Sequence, residues 1–143
     1  MFDLGSILLV HNYQLPTKVK DKFFIVIGYT ESEVSLLSMT TSQLYFDPTL
    51  LKHGLIEDRD LSVYCFEKDK VIGQNGFAFH KYTIVSYRNN IHAFSREKIN
   101  SLDIEIMDCL TQKELTELIY GIYKRSPLKY KSIFEKIITD LLK

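Results

Sequence analysis

The sequence is poor in several residue types, and each shortage excludes a class of protein. It has no tryptophan, three prolines and two cysteines in 143 residues. Cys65 and Cys109 form no Cys-x-x-Cys pair, which argues against a disulfide framework or a cysteine zinc site and favours a reducing cytoplasm. The apolar run near the N-terminus, residues 7–10, is too short for a membrane helix or a signal peptide. We therefore expect a soluble cytoplasmic protein without membrane contact.

A net charge is also lacking, because 18 Lys and Arg side chains balance 18 Asp and Glu side chains. This balance excludes a uniformly basic surface but not a local one. Acidic side chains are concentrated in residues 46–70, whereas basic ones cluster at 18–22, 81–98 and 124–131. A basic stretch is typical of a solvated helix end or, beside Tyr and Phe, of a groove for single-stranded nucleic acid.

What the chain does contain is an ordinary hydrophobic fraction of 45% and a high aromatic fraction of 13%, from nine Tyr and nine Phe. This length and composition predict one folded domain. Tyr and Phe favour half-buried strands, and they also serve as stacking surfaces for nucleobases. The core of a small β-rich fold is the simpler interpretation.

Short strands separated by turns are predicted over the first hundred residues. The continuous apolar run 23–27 indicates a central strand covered on both faces. Residues 33–41 follow it closely, so we expect these two strands to pair antiparallel. Turn residues occur at 12–17, at 73–76 and at Asn89 and Asn90. Five or six short antiparallel strands predict a small barrel or a strongly bent sheet. The other expected segments are strands at 7–11, 61–66, 82–87 and 91–94, an excursion with at most a helical turn at 46–60, and a helical turn capped by Ser95.

The hydrophobic period becomes helical beyond residue 110. Thr111 and Glu114 form a capping-box pattern at the start of a helix. Ser126 and Pro127 end this helix and begin a second one. We expect a single domain over 1–143, mainly β with C-terminal helices. Its β body is expected at about 1–98, and a helical hairpin at about 102–143 packs on it. The apolar face of the first helix is expected at Leu115, Leu118, Ile119 and Ile122.

The motifs of common hydrolases are missing. The four histidines lack the spacing of metal ligands, and neither a Gly-x-Ser-x-Gly elbow nor a phosphate-binding loop occurs. Gly73-x-x-Gly76 is typical of a hairpin turn. Asp58-Arg59-Asp60 would suit a cation but is more typical of a solvated turn. We therefore expect neither a metal ion nor another cofactor.

The first part of the chain carries an ordered set of short motifs. Gly5-x-Ile7 is followed by a basic loop, by Lys20-Asp21-Lys22 before the apolar run 23–27, and by Leu-Leu-Ser-Met-Thr-Thr-Ser at 36–42. Over about residues 5–98 the sequence resembles the MazF/PemK family of toxin endoribonucleases. That family's pattern runs Gly-x-Ile, a loop, Lys-x-Arg-Pro before an apolar strand, and an apolar strand ending in Thr-Ser. The later segments that agree with it are 79–84 and 91–94.

The resemblance implies an SH3-like barrel in a homodimer that cleaves single-stranded RNA without a metal ion. An acidic antitoxin protein is the implied partner. In the family an Arg and a Thr carry the chemistry, in which the ribose 2′-OH attacks the neighbouring phosphorus and leaves a cyclic phosphate. By position these residues fall on Lys22 and on Thr40 or Thr41. The residues expected to hold the RNA are Lys18, Lys20, Lys81 and Arg88.

The chain departs from the family pattern at Lys22-Phe23, where the family has Arg-Pro. A lysine offers a point charge in place of the bidentate guanidinium. It can still stabilise the charge that develops on phosphorus, or act as an acid if burial lowers its pKa. The C-terminal hairpin is also longer than the single closing helix of a typical member.

Two other functions fit the same sequence. One is a non-catalytic barrel that binds a protein or peptide through its aromatic face. The other is a nucleic-acid-binding regulator without nuclease activity that uses the basic residues of the added hairpin. Those residues are Lys124, Arg125, Lys129 and Lys131.

Overall fold

The structure, a computed structural model, describes residues 2–29, 32–41, 52–58, 61–86 and 90–125. Within them the chain is mainly β with two helices, as the sequence predicts. The elements in chain order are β1 (Ser6–Gln14), β2 (Val19–Tyr29), β3 (Glu33–Ser38), β4 (Thr40–Thr41), β5 (Gly54–Asp58), β6 (Leu61–Phe66), β7 (Thr83–Ser86), β8 (Ile91–Ser95), α1 (Arg96–Asn100), β9 (Asp103–Cys109) and α2 (Gln112–Arg125).

The strands form two antiparallel sheets. One has the order β8-β3-β2-β1-β9 and the other the order β4-β7-β6-β5. β2 lies at the centre of the five-stranded sheet because its apolar run, residues 24–27, is fully buried and has no polar side to expose. β3 pairs with it antiparallel, with Phe24 opposite Ser38. Both predictions for these strands are confirmed.

The two sheets share one segment of chain and part at Met39. The Met39 amide donates a hydrogen bond of 3.1 Å to the carbonyl of Phe23. The next residue, Thr40, already pairs with Ile84 of the other sheet. β3 therefore leaves the side of β2 at this point, and the part of β2 before Phe23 borders a gap between the sheets. We call this gap the fork.

Each face of the five-stranded sheet packs into a different hydrophobic cluster. The face that carries Ile25, which we call the inner face, shares a cluster with Tyr64 of β6 and Leu118 of α2. The opposite face, the outer face, carries Phe24 and shares a cluster with Ile99 of α1. Because full burial of such a side chain stabilises a protein by about 1.5–3 kcal/mol, these clusters fix the sheet between its neighbours.

Both described helices begin at the predicted caps. The Ser95 side chain accepts a hydrogen bond from the Lys98 amide, 3.1 Å, at the start of α1. The Thr111 hydroxyl accepts one from the Glu114 amide, 3.3 Å, before α2. The reciprocal half of the capping box does not form, because the Thr111 amide donates to the Ile72 carbonyl instead.

β9 corrects the prediction of a helical hairpin from about residue 102. Residues 103–109 form a strand that pairs antiparallel with β1. Ile106 and Met107 are adjacent in sequence and both exposed, so this strand has no continuous apolar side that a sequence pattern would reveal. The helical part of the chain therefore begins at α2. The second helix, predicted to begin at Ser126 and Pro127, lies outside the described residues.

Three smaller differences concern the turns. Gly54–Asp58 forms β5 within the region predicted as an excursion. β1 continues to Gln14 through part of the predicted loop, because Asn12 adopts a φ of 55° and the pairing with β2 is irregular there. The turn predicted at Asn89 and Asn90 lies partly outside the described residues, and the strands before and after it, β7 and β8, belong to different sheets.

The described strands form two open sheets connected through Met39, and no closed barrel is seen among them. Neither of the described helices has the length and apolar character needed to cross a membrane.

Candidate functional site

A pocket of about 450 Å³ opens at the fork. β2 lines it through Phe23, the segment between the sheets through Met39, and β7 through Thr83. The loop between β6 and β7 supplies a further wall, at residues 77–81. This volume lies in the range of small-molecule sites, so the pocket can hold one nucleobase with its sugar.

Three phenylalanine rings form the apolar wall of the pocket. The ring centroid of Phe23 lies 5.8 Å from that of Phe77 and 5.2 Å from that of Phe79. Phe77 and Phe79 are 5.1 Å apart. All three pairs meet edge to face, the geometry that ring quadrupoles favour. Such a wall offers ring faces and edges against which a flat base can pack.

A buried carboxylate holds the turn that presents Phe77. Asp108 accepts hydrogen bonds from the amides of Asn75 and Phe77, both at 3.0 Å, and from that of Cys109 at 2.7 Å. Burial raises the pKa of Asp108, but these hydrogen bonds together outweigh it, so the pKa lies below its ordinary value. Gly73 is required beside it, because a Cβ there would overlap the Asp108 carboxylate.

Three lysines line the pocket together with one acidic residue. The lysines are Lys20, Lys22 and Lys81. The acidic residue is Asp21, whose carboxylate accepts a hydrogen bond of 3.0 Å from the Asn12 amide. The pocket therefore combines an aromatic wall with an excess of positive charge, which suits an anionic ligand with a flat ring.

The pKa of Lys22 lies below the ordinary value of a lysine. Its side chain is half-buried, and burial lowers its pKa, with the charges of Lys20 and Lys18 acting in the same direction. A lowered pKa makes an ammonium a better proton donor, while at neutral pH it still supplies positive charge to a phosphate.

The structure brings the predicted catalytic lysine together with two of the residues predicted to hold the RNA. Lys20, Lys22 and Lys81 line the same pocket. Lys18 is exposed immediately before β2, and its charge contributes to the lowered pKa of Lys22. The Thr83 hydroxyl donates a hydrogen bond of 2.9 Å to the carbonyl of Lys81, which fixes the backbone of that residue at the pocket.

The predicted threonines lie on the strand next to the pocket. Thr40 pairs with Ile84, and Thr41 pairs with the pocket residue Thr83. Their backbones are thus at the fork, and their side chains lie outside what the structure describes. Arg88, the remaining predicted residue, also lies outside the described part of the chain.

Sequence reasoning did not assign Phe77, Phe79 or Asp108 to the site. The aromatic residues at alternate positions after Gly76 are a local signal that could have suggested a ring-lined surface. Asp108 has no local signal, because its role depends on a turn more than thirty residues away in sequence.

A second polar cluster is closed and joins α2 to the four-stranded sheet. The Glu67 amide donates to Nδ1 of His53, so the proton of that ring is on Nε2. Nε2 donates to Glu114 at 2.7 Å, and the Tyr64 hydroxyl donates to the other oxygen of Glu114 at 2.8 Å. The four groups satisfy one another, so this cluster stabilises the fold.

Among the residues that the structure describes, two further types of site, a metal cluster and a reactive Cys65 thiol, are not formed. In the part of the chain that the structure describes, no three His, Cys, Asp or Glu side chains are grouped to hold a metal ion. Burial and the charge of Glu67 raise the pKa of the Cys65 thiol to about 11, which keeps it protonated and unreactive at neutral pH.

Comparison of the chain with models of protein families, with curated proteins and with solved structures finds no match. The fold and the site together define a mainly β protein with a basic, aromatic-lined pocket at the junction of two sheets. Its function is argued from that pocket.

Proposed function

We propose that this protein is an endoribonuclease of the MazF/PemK type, with an SH3-like arrangement of strands, that binds single-stranded RNA at the fork and cleaves it without a metal ion. The observation that carries the proposal is the meeting of Lys20, Lys22 and Lys81 with three phenylalanine rings in one pocket. Lysines neutralise phosphates, and aromatic rings hold unstacked bases, which only single-stranded nucleic acid presents freely.

Lys22 is the residue that the resemblance places at the scissile phosphate, and its setting supports this role. Lys22 lines the pocket at the fork, and its side chain is half-buried. It stands in β2 next to the point where β3 departs. Partial burial strengthens its attraction for the charge that develops on phosphorus. Thr40 or Thr41, on the neighbouring strand, is the proposed partner that orients the ribose 2′-OH.

The test is incubation of the purified protein with a labelled single-stranded RNA in the presence of EDTA. We expect cleavage that leaves a 2′,3′-cyclic phosphate on one fragment and a 5′-OH on the other. Lys22→Ala should lower the rate by about 100-fold or more, since one group that stabilises transition-state charge contributes this much. Lys113→Ala, at an exposed position of α2, should leave it unchanged. Equal cleavage by wild type and Lys22→Ala contradicts the proposal.

A non-catalytic RNA-binding module is the second candidate, favoured by lysine at a position where the family has arginine. It predicts the same binding to the pocket without cleavage. Detection of salt-dependent RNA binding by a wild-type protein that leaves the RNA intact would replace the first proposal with this one.

As part of the first proposal, the resemblance implies a homodimer that an acidic antitoxin neutralises. Light scattering during size-exclusion chromatography tests the dimer, with a mass near twice 16.7 kDa expected.

A further inference from the structure

A histidine and a serine meet on the outer face of the five-stranded sheet, close to Lys22. Nε2 of His92 in β8 lies 3.1 Å from the hydroxyl oxygen of Ser38 in β3. The side-chain amide of Asn90 donates to the same oxygen at 3.0 Å. Ser38 is buried, so its hydroxyl serves to orient the imidazole and is not itself open to a ligand.

Aromatic neighbours fix the plane of the His92 ring. Phe94 lies parallel to it, with an interplanar angle of 8° and a centroid distance of 5.9 Å. Phe24 meets it edge to face at 6.3 Å. With the ring held in this way, Nε2 is directed at Ser38, and Nδ1 is the nitrogen left for other chemistry.

Lys22 shares this face of β2 with Phe24, because side chains two positions apart in a strand point to the same side. Phe24 meets the His92 ring edge to face, and the charge of Lys22 lowers the pKa of that ring, so Lys22 and His92 lie within electrostatic reach of each other on this face. Lys22 also lines the pocket at the fork. Lys22 therefore belongs both to the pocket that carries the phenylalanine wall and to the surroundings of the His92 imidazole.

The register of β3 also fixes the backbone position of the predicted residue Thr40. Ser38 lies opposite Phe24 in the ladder, and Thr40 follows two positions later, where β4 joins the other sheet. In the ladder His92 lies opposite Leu36, so Leu36, Ser38 and Thr40 follow one another at alternate positions from the strand position of His92 to the fork.

The ring of His92 is suited to accept a proton at neutral pH. Burial lowers its pKa, and the charge of Lys22, the charged group that acts on it among the described residues, lowers it further. The imidazole is therefore neutral at pH 7. With the ring proton on Nε2, which then donates a hydrogen bond to the Ser38 hydroxyl, the lone pair of Nδ1 is available as a base.

We propose that His92 is the general base of the RNA cleavage reaction, acting with Lys22 as the general acid. This inference rests on the proposed function. Nδ1 of His92 takes the proton from the ribose 2′-OH, whose oxygen forms a bond to phosphorus. The bond from phosphorus to the 5′-oxygen breaks, and that oxygen takes a proton from the Lys22 ammonium. The products are a 2′,3′-cyclic phosphate and a 5′-OH, so protons and electrons balance without a co-reactant.

Two variants test the role of the ring. His92→Gln keeps an N–H that can reach Ser38 but has no basic nitrogen, and His92→Ala leaves space for imidazole from solution. Both should lower the cleavage rate by roughly 100-fold or more, the usual contribution of a general base. Their affinity for an RNA with a 2′-deoxy substitution at the cleaved position, which cannot react, should stay within about twofold of wild type.

The pH profile and chemical rescue separate catalysis from a structural role. The wild-type rate should fall as the pH drops through an apparent pKa below 6.5, because protonation removes the base. Both variants should lose this acidic limb, and added imidazole should restore a part of the rate in His92→Ala. Lys113→Ala, at an exposed position of α2, should retain the wild-type profile.

The outcomes distinguish this inference from the proposed function. Wild-type cleavage together with an unchanged rate or an unchanged acidic limb in both variants overturns the role of His92 and leaves the nuclease intact. Loss of rate without rescue by imidazole, in folded variants that bind RNA normally, also overturns it. A wild-type protein that does not cleave RNA overturns both.

Discussion

The hydroxyl of Tyr64, within β6, donates a hydrogen bond of 2.8 Å to the carboxylate of Glu114 in the first turn of α2. His53 donates to the other oxygen. Burial raises the pKa of Glu114, but the hydrogen bonds from His53 and Tyr64 and the charge of Lys70 lower it more, so the carboxylate is charged. A negative charge at this end of a helix is also favoured by the helix dipole. α2 is thus fixed to the sheet by a polar contact at its N-terminus.

Glu114→Ala should lower the free energy of unfolding by about 3 kcal/mol, because it removes the carboxylate that accepts hydrogen bonds from the buried Tyr64 hydroxyl and from His53. Urea unfolding followed by circular dichroism measures the change. Glu117, one turn later, lies 3.4 Å from the Tyr64 hydroxyl and is exposed, so Glu117→Ala should cost less than about 0.5 kcal/mol. Similar losses in both variants would refute the role assigned to Glu114.

The His11 ring predicts a dependence of stability on pH. The hydrogen bond to Glu105 and then that to Asp21 raise its pKa above 6.5. A raised pKa in the folded state gives a stabilising contribution that is complete below the unfolded pKa and is lost as the pH rises through the folded one. His11→Gln should therefore reduce the melting temperature at pH 6 more than at pH 9, as scanning calorimetry can measure. A difference that does not change with pH argues against this ion pair.

Gly73 and Gly76 provide a matched pair for the turn before Phe77. Gly73→Ala should destabilise the protein by about 2 kcal/mol or more, since its Cβ would displace the buried Asp108 carboxylate. Gly76 has open space around it but a φ of 95°, so Gly76→Ala should cost only about 1 kcal/mol, from backbone strain. The two midpoints of urea unfolding give the comparison, and a larger cost at Gly76 would contradict the steric argument.

Lys81→Ala should weaken RNA binding and also reduce its dependence on salt. For single strands, each phosphate contact contributes about 0.7 to the slope of log affinity against log salt concentration. Fluorescence anisotropy with a labelled, uncleavable RNA between about 50 and 200 mM salt should show the slope falling by about that amount. An unchanged slope means that Lys81 touches no phosphate. Lys113→Ala serves as the control for a lost surface charge.

Phe77→Leu should lower the affinity for RNA without changing its dependence on salt. It removes an aromatic surface but no charge, so affinity should fall by about 1–3 kcal/mol, the usual value of one base stack, while the salt slope stays the same. Tyr29, exposed at the far end of β2, offers the control, and Tyr29→Leu should not change affinity. Binding that is indifferent to Phe77→Leu would remove the ring wall from the site.

The parts of the fold that the sequence predicts are those with a one-sided or continuous apolar pattern. β2 contains the run 23–27 without polar interruption, and α2 has both a cap and a helical apolar face. β9 was wrongly assigned to the helical region, because its acidic residues and exposed Ile106 hide the strand period. Local pattern therefore identifies buried elements and misses a strand whose position depends on pairing with β1.

The candidate site likewise has one part that the sequence predicts and one part that it does not. Lys20, Lys22 and Lys81 were predicted from motif and charge, and they do line one pocket. The pairing of His92 with Ser38 was not predicted, because it depends on which strand lies beside β3. That neighbour is β8, more than fifty residues away in sequence, so no local pattern contains it.

The hydrogen bond from the Met39 amide to the Phe23 carbonyl, described above at the point where the sheets part, has an experimental consequence. It is the last such bond between β2 and the departing strand among the described residues. Hydrogen exchange at this amide therefore requires the fork to widen. Its protection factor, measured by NMR with and without bound RNA, reports the free energy of this opening and how a bound ligand changes it.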